Sequence, residues 1–215
     1  FAPPAMQGTF GWRDIVIGTE DCLTLDIVRP DTDEELPVVV YFHGGTFVTG
    51  ASNEKVLQGH LLSDATKVVY VSVNFRLGVL GYLDFRSLGH DCVATPALLD
   101  QILALEWVRA NIANFGGDPN RVTIMGESAG GAAVVHLMCS PSARGLFHGA
   151  VAQSPPPASV HSRLQAAMWV RELVTRMGLP RTTTLADLRE TRAEELVRAG
   201  QSMLLNTKEL VQLNT

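Results

Sequence analysis

Val122-Thr123-Ile124-Met125-Gly126-Glu127-Ser128-Ala129-Gly130-Gly131 is the stretch that decides the fold. Its first four residues are β-branched or apolar, the make-up of a short strand buried on both faces. Glycines then bracket a serine, and Ala129 opens a helix. A strand that turns this sharply into a helix holds its central residue on strained backbone and lifts a hydroxyl clear of the sheet. Side chains two residues either side of Ser128 would collide, which is why Gly126 and Gly130 stand there. The helix N-terminus adds positive potential beneath the hydroxyl. An incidental serine in a glycine-rich turn is the plainer reading. The strand before and the helix after favour Ser128 as a nucleophile.

Further strands are read outward from this point. Val38 to Phe42, Val68 to Val73 and roughly Gly149 to Gln153 are short and nearly all apolar. Helical spacing lies between them, over residues 53–66 and 96–114. In the second stretch Leu98, Ile102, Leu105 and Ile112 form one stripe. Thr95 is placed to cap it, with Pro96 at its first position. Strand alternating with helix predicts an α/β fold, a mostly parallel doubly wound sheet with helices on both faces. Thr24 to Val28 alternates like an antiparallel edge strand. Pro155, Pro156 and Pro157 end the strand signal, and the chain reads as helix from Ser162 to its end. Thr184 and Asp187 are spaced as a capping box, and Arg189, Arg192 and Glu195 mark a wet face. The predicted organisation is a sheet core over residues 1–154 and a helical segment of the same domain over 155–215.

His43-Gly44-Gly45-Thr46-Phe47 follows the strand ending at Phe42. Acyl chemistry needs N–H donors aimed at a developing oxyanion, and glycines let backbone approach it. The expected donors are the amides of Gly45, Thr46 and Ala129. Gly44 gives the loop room, and His43 is read as a brace for it rather than a catalytic base. Glu127, beside the nucleophile, is read as a buried member of the site's polar network. Arg76 and Asp100 are expected as structural ion-pair members, not necessarily each other's. Residues 115–119, Phe-Gly-Gly-Asp-Pro, read as a turn, and Trp107 as core.

Composition narrows the function. The 215 residues carry 17 Lys and Arg against 22 Asp and Glu, a net charge of -5 that forces no basic face for nucleic acid. No apolar run approaches the roughly 20 residues of a membrane span. The three cysteines, Cys22, Cys92 and Cys139, lack metal spacing and make no disulfide framework. No metal or cofactor is implied. The opening residues, FAPPAMQGTFGW, have neither a basic nor an apolar leader region, which leans towards a cytoplasmic location and leaves the compartment open.

Seven ordered segments now carry a resemblance: EDCLTLDI (20–27), HGGTF (43–47), NFRLG (74–78), DQ (100–101), FGGDP (115–119), GESAGG (126–131) and GLFHGAVAQS (145–154). Together they resemble the type-B carboxylesterases, the family of the cholinesterases, the para-nitrobenzyl esterases and the neuroligins. The resemblance implies an α/β-hydrolase fold and ester hydrolysis through an acyl-enzyme on Ser128, with Gly45, Thr46 and Ala129 as oxyanion donors. Four departures stand out. The family usually has glycine where Thr46 stands, so that side chain is expected to narrow the acyl pocket. The opening residues offer no partner for Cys22, which is expected to be a buried thiol. Thr95 and Ala97 stand where the family usually carries Asn and Gly. The chain's start is read as lacking the family's N-terminal hairpin strands.

The triad is incomplete. α/β-Hydrolases order it as serine, acid, histidine. After Ser128 the first acid is Glu172, whereas His136, His148 and His161 all precede it. The acid and histidine are therefore expected outside these residues, in a longer esterase. An uncoupled serine hydroxyl is too basic to attack well, so the 215 residues alone are expected to hydrolyse esters feebly. The expected function is a serine carboxylesterase acting on small-molecule esters, with its oligomeric state open. The alternatives are a catalytically silent adhesion or binding module on this fold, an inactive fragment, or an amidase or thioesterase using the same machinery.

Overall fold

A computed structural model describes residues 2–9, 12–156 and 160–204. Five strands form the main sheet in the order β3-β5-β4-β6-β7. These are β3 (Leu25–Val28), β4 (Leu36–Phe42), β5 (Val69–Val73), β6 (Gly117–Glu127) and β7 (Gly149–Gln153). β4, β5, β6 and β7 run parallel, and β3 pairs antiparallel with β5 at the edge, as its alternating sequence predicts. Every residue of β5 is buried. Such a strand contributes apolar side chains to both faces of the sheet, and no alternation is left in its sequence.

β7 is the exception. Its sequence is as apolar as its neighbours', yet it lies at the other edge and Val151 is 41 % exposed. β6 also starts earlier than Val122. Gly117 pairs with Leu36, then the register shifts before Val122 meets Val38. The turn proper is therefore Gly116, whose φ of 72° caps a short 3-10 helix over Ile112–Phe115.

The helices are α1 (His60–Thr66), α2 (Gly78–Tyr82), α3 (Pro96–Asn111), α4 (Ala129–Cys139), α5 (Arg163–Arg176), α6 (Leu185–Arg189) and α7 (Ala193–Leu204). The helix expected over 53–66 is split into a 3-10 turn, Lys55–Leu57, and α1, which begins at His60. Gly59 has φ 74°, and a Cβ there would stand 2.1 Å from the Tyr70 ring, so the chain turns before it coils. Thr95 occupies the cap position of α3, but its side chain makes no capping bond. Pro96 has no N–H to be capped, which lowers the demand. The Thr184–Asp187 capping box forms, and Ser162 with Gln165 forms a second. Arg189, Arg192 and Glu195 are exposed as expected. The helical reading of residues 205–215 lies outside the described residues.

Two apolar clusters result. The larger joins the sheet to α3 and α4 through Val40, Phe42, Val71, Leu105, Ile124 and Leu137. Trp107 packs half-buried at its rim. The second gathers Leu83, Val170, Leu173, Leu188 and Leu196 where α5, α6 and α7 meet the end of α2. One reading of the sequence is corrected at the N-terminus. The chain's start does carry paired strands: β1 (Gln7–Thr9) and β2 (Trp12–Ile17) form an antiparallel sheet of their own.

Candidate active site

Parallel pairing builds the site. Phe42 is in register with both Gly126 and Val73, so the segments after β4, β5 and β6 leave the sheet at one end. Ligand sites on open α/β sheets lie at the carboxyl ends of the strands.

Ser128 stands between β6 and α4 with φ 56° and ψ -120°, a conformation that L-residues rarely hold. Its amide donates to the Gln153 carbonyl at 2.9 Å, and its carbonyl accepts the first helical bond, from Ala132. The flanking glycines are required by contact. A Cβ on Gly126 would lie 2.4 Å from the Gly130 backbone, and one on Gly130 would lie 2.0 Å from the Phe42 carbonyl oxygen. Gly131 is equally confined, 2.6 Å from the Gln153 carbonyl oxygen. The collision read from the sequence is thus present, and the β4 end takes part in it.

The loop after β4 folds against the serine. A Cβ on Gly44 would sit 3.5 Å from the Ser128 Cβ. Gly45, Thr46 and Phe47 all have positive φ, at 108°, 55° and 65°. Among the described residues, the N–H groups of Gly45, Thr46 and Ala129 donate to no acceptor. The Ala129 N–H is unspent because it opens a helix. The geometry therefore gathers the serine and the three expected donor peptides at one end of the sheet.

His43 is buried beneath this loop, 2 % exposed. Its Nδ1 donates to the Gly44 carbonyl at 2.8 Å, and its ring stacks on Phe75 with centroids 4.5 Å apart. A Cβ on Gly50 would stand 2.2 Å from that Nδ1. Burial pushes the imidazole pKa down to about 4, so the ring is neutral at neutral pH. The ring is thus neutral, stacked and buried beneath the loop.

Glu127 is a correction. It is exposed, not buried. It ends β6 opposite Gln153 of the exposed edge strand, with its Oε2 3.1 Å from where a Cβ on Gly44 would stand.

Several supporting residues carry little sequence signal. Gln7 clamps the loop with both ends of its amide. Its Nε2 donates to the Gly50 carbonyl and its Oε1 accepts from the Gly50 amide, each at 2.8 Å. Asn74 accepts from the Ser52 amide at 2.8 Å and donates to Thr24 Oγ1 at 3.0 Å. The NFRLG segment contains Asn74, but only the fold brings Ser52 to it. Arg76 and Asp100 prove to be each other's partners. The guanidinium reaches the carboxylate at 2.6 and 2.8 Å, and the Arg76 amide adds a third bond at 3.1 Å. Cys22 is a buried free thiol, raised in pKa by that burial and by the nearby Asp100 charge.

A cavity of about 680 Å3 opens beside the loop, lined by Thr46, Phe47, Tyr82, Ala133, His136 and Trp169 among others. Phe47 meets the Tyr82 ring edge-on at 5.0 Å. Burial lowers the His136 pKa and raises that of Tyr82. Neither His148 nor His161 is joined to Ser128: His148 Nδ1 accepts from the Val122 amide, and His161 packs on Trp169. No cluster of His, Cys, Asp and Glu among the described residues could hold a metal ion, and no described helix is long and apolar enough to cross a membrane.

Known proteins share this fold. The chain is 38% identical over 192 residues to a para-nitrobenzyl esterase of Bacillus subtilis (strain 168), covering 89% of the chain and 39% of that protein. It is 42% identical over 166 residues to an acetylcholinesterase of Gallus gallus, 76% of the chain and 21% of that protein. The solved structure of a thermophilic PNB esterase superimposes with a TM-score of 0.87 at 33% identity, over 97% of the chain and 44% of that structure's chain. The chain thus spans less than half the length of these relatives. The sheet is that of the α/β-hydrolase fold, and a sequence model described as the Carboxylesterase family matches residues 2–214. The chain belongs to the carboxylesterase family.

Proposed function

We propose that these residues carry the nucleophile and oxyanion machinery of a serine carboxylesterase. Ser128 attacks the ester carbonyl, and the amides of Gly45, Thr46 and Ala129 hold the oxyanion as the tetrahedral intermediate forms. The alcohol leaves, and water then cleaves the acyl-enzyme. A histidine outside residues 1–215 takes the serine proton, oriented by an acid also outside them. One such donor is worth about 3–4 kcal/mol of barrier when removed.

The observation that carries this reading is the unspent donors beside a strained serine. Three N–H groups without acceptors among the described residues lie in the Gly44 loop and the helix start that meet Ser128, whose backbone is held at φ 56°. Strain of this kind persists where the surroundings over-determine it, and it clusters at reacting positions. Small-molecule carboxylic esters are the substrate class.

The test is mass spectrometry of the full-length protein before and after exposure to a fluorophosphonate. One adduct on Ser128, absent in Ser128→Ala, together with turnover of para-nitrophenyl acetate, is the expected result. An unreactive Ser128 in the full-length protein overturns the reading and favours a silent binding module. A preference for amide or thioester leaving groups over oxygen esters moves the assignment to an amidase or thioesterase.

A further inference from the structure

We infer that the Thr46 side-chain hydroxyl is a positioning group that aims its own residue's backbone N–H at the oxyanion. This rests on the esterase reading of Ser128.

The argument starts from one peptide unit. The carbonyl of Gly45 and the N–H of Thr46 belong to the same planar trans peptide, so they point in opposite directions. Whatever fixes the carbonyl fixes the N–H. Four donors converge on the Gly45 oxygen: the Val48 amide at 3.1 Å, the Thr49 amide at 3.0 Å, Thr49 Oγ1 at 3.4 Å and Thr46 Oγ1 at 2.8 Å. The Thr46 hydroxyl makes the shortest of the four. The opposite end of the unit, the Thr46 N–H, has no acceptor among the described residues.

This hydroxyl is needed because the backbone conformation is unfavourable for the residue that holds it. Thr46 is β-branched and sits at φ 55°, where a β-branched side chain is an outlier. A glycine takes such a φ at no steric cost. Threonine left to itself would relax towards negative φ, and that rotation would swing the 45–46 peptide and misdirect its N–H. The short bond from Oγ1 back to the preceding carbonyl opposes the rotation. Thr46 is exposed and lines the cavity, so no packing around its methyl group substitutes for the bond.

The experiment uses the full-length protein and three variants. Thr46→Val keeps the branched shape and removes the hydroxyl. Thr46→Ser keeps the hydroxyl and removes the methyl. Thr46→Ala also lacks the hydroxyl but is less strained at this φ, and it replaces the valine variant if that one does not fold. The readouts are kcat and KM for para-nitrophenyl acetate, and the inhibition constant of a trifluoromethyl ketone that mimics the tetrahedral intermediate. With Thr46→Val, kcat falls about tenfold, a fraction of the loss from deleting an oxyanion donor outright. KM stays within about twofold, and the ketone's affinity falls in step with kcat/KM. Thr46→Ser recovers most of the loss. Wild-type kcat in both hydroxyl-free variants overturns the inference, as does a kcat loss that leaves the ketone's affinity unchanged. If the wild-type protein neither turns over the ester nor takes the fluorophosphonate on Ser128, the esterase reading itself has failed and this inference falls with it.

Discussion

Gly44 lies against Ser128 so closely that a Cβ on the glycine would stand 3.5 Å from the serine Cβ and 2.9 Å from the Glu127 carbonyl oxygen. The first distance is ordinary contact, but the second is a clash with backbone that cannot swing aside. Gly44→Ala is therefore expected to shift the loop away from the serine by a fraction of an ångström. Misplacement of about 1 Å can cost on the order of a hundredfold in rate. We expect kcat/KM for an acetate ester to fall roughly ten- to a hundredfold on that scale, with Ser128 still reactive towards fluorophosphonate. Wild-type kinetics in Gly44→Ala would show that the loop is not held against the serine.

Thr46 projects into the cavity beside the loop, and its side chain is expected to crowd longer acyl groups. Comparing acetate with octanoate esters in wild type and Thr46→Gly isolates this effect, because any damage to the oxyanion site cancels in the ratio. We expect the octanoate-to-acetate ratio to rise roughly tenfold in the variant, the scale of a small steric change in an apolar pocket. Equal chain-length profiles would remove Thr46 from acyl selection.

The Arg76–Asp100 pair is unequally exposed, with side chains 40% and 3% accessible. Removing either partner leaves the other charge uncompensated, but only Asp100, which keeps the bond from the residue 76 amide, is then held as a charge away from water. Arg76→Ala is expected to destabilise the protein by about 3 kcal/mol, and Asp100→Ala by clearly less. Equilibrium urea unfolding of the two single variants and the double variant measures both costs and their coupling. Equal costs would contradict the exposure argument.

His43 gives the fold an acid-sensitive step. Its folded pKa lies near 4 against an ordinary 6.5, because burial disfavours the charged ring. Between those values the unfolded chain binds the proton and the folded chain does not, so stability falls as pH drops through this window. The contribution is intact above pH 6.5 and amounts to a loss of roughly 2 kcal/mol on going from pH 7 to pH 5. Unfolding curves at the two pH values, compared with His43→Asn, check the magnitude. An imidazole of His43 found protonated at pH 5 by nitrogen NMR would refute it.

The parts of the site legible in the sequence are those whose chemistry is local. Gly126, Ser128 and Gly130 announce a strand-to-helix turn because the turn folds Gly126 onto Gly130 within four residues. The Thr184–Asp187 box was equally visible, since both of its bonds close within four residues. The exposure of Glu127 is not legible in the sequence, for the converse reason. Its burial depends on what lies over the end of β6, and its own neighbours say nothing about that. Gln7 gives no signal in the sequence because its partner, Gly50, is 43 residues away and an isolated glutamine carries no pattern.

Sequence alone determined the α/β alternation, the family, the nucleophile candidate and the donor loop, because strand composition, glycine placement and motif order are properties of short windows. Tertiary structure alone decided that Arg76 pairs with Asp100, that β7 is exposed while β5 is buried, and that paired strands exist near the N-terminus. It also decided that the Gly45 carbonyl gathers four donors. The ion pair and the exposures of β5 and β7 depend on which distant segments the sheet brings side by side and on how much water is left between them, and the convergence on the Gly45 carbonyl depends on the positive φ angles of the loop. No local pattern of residue types encodes any of these quantities.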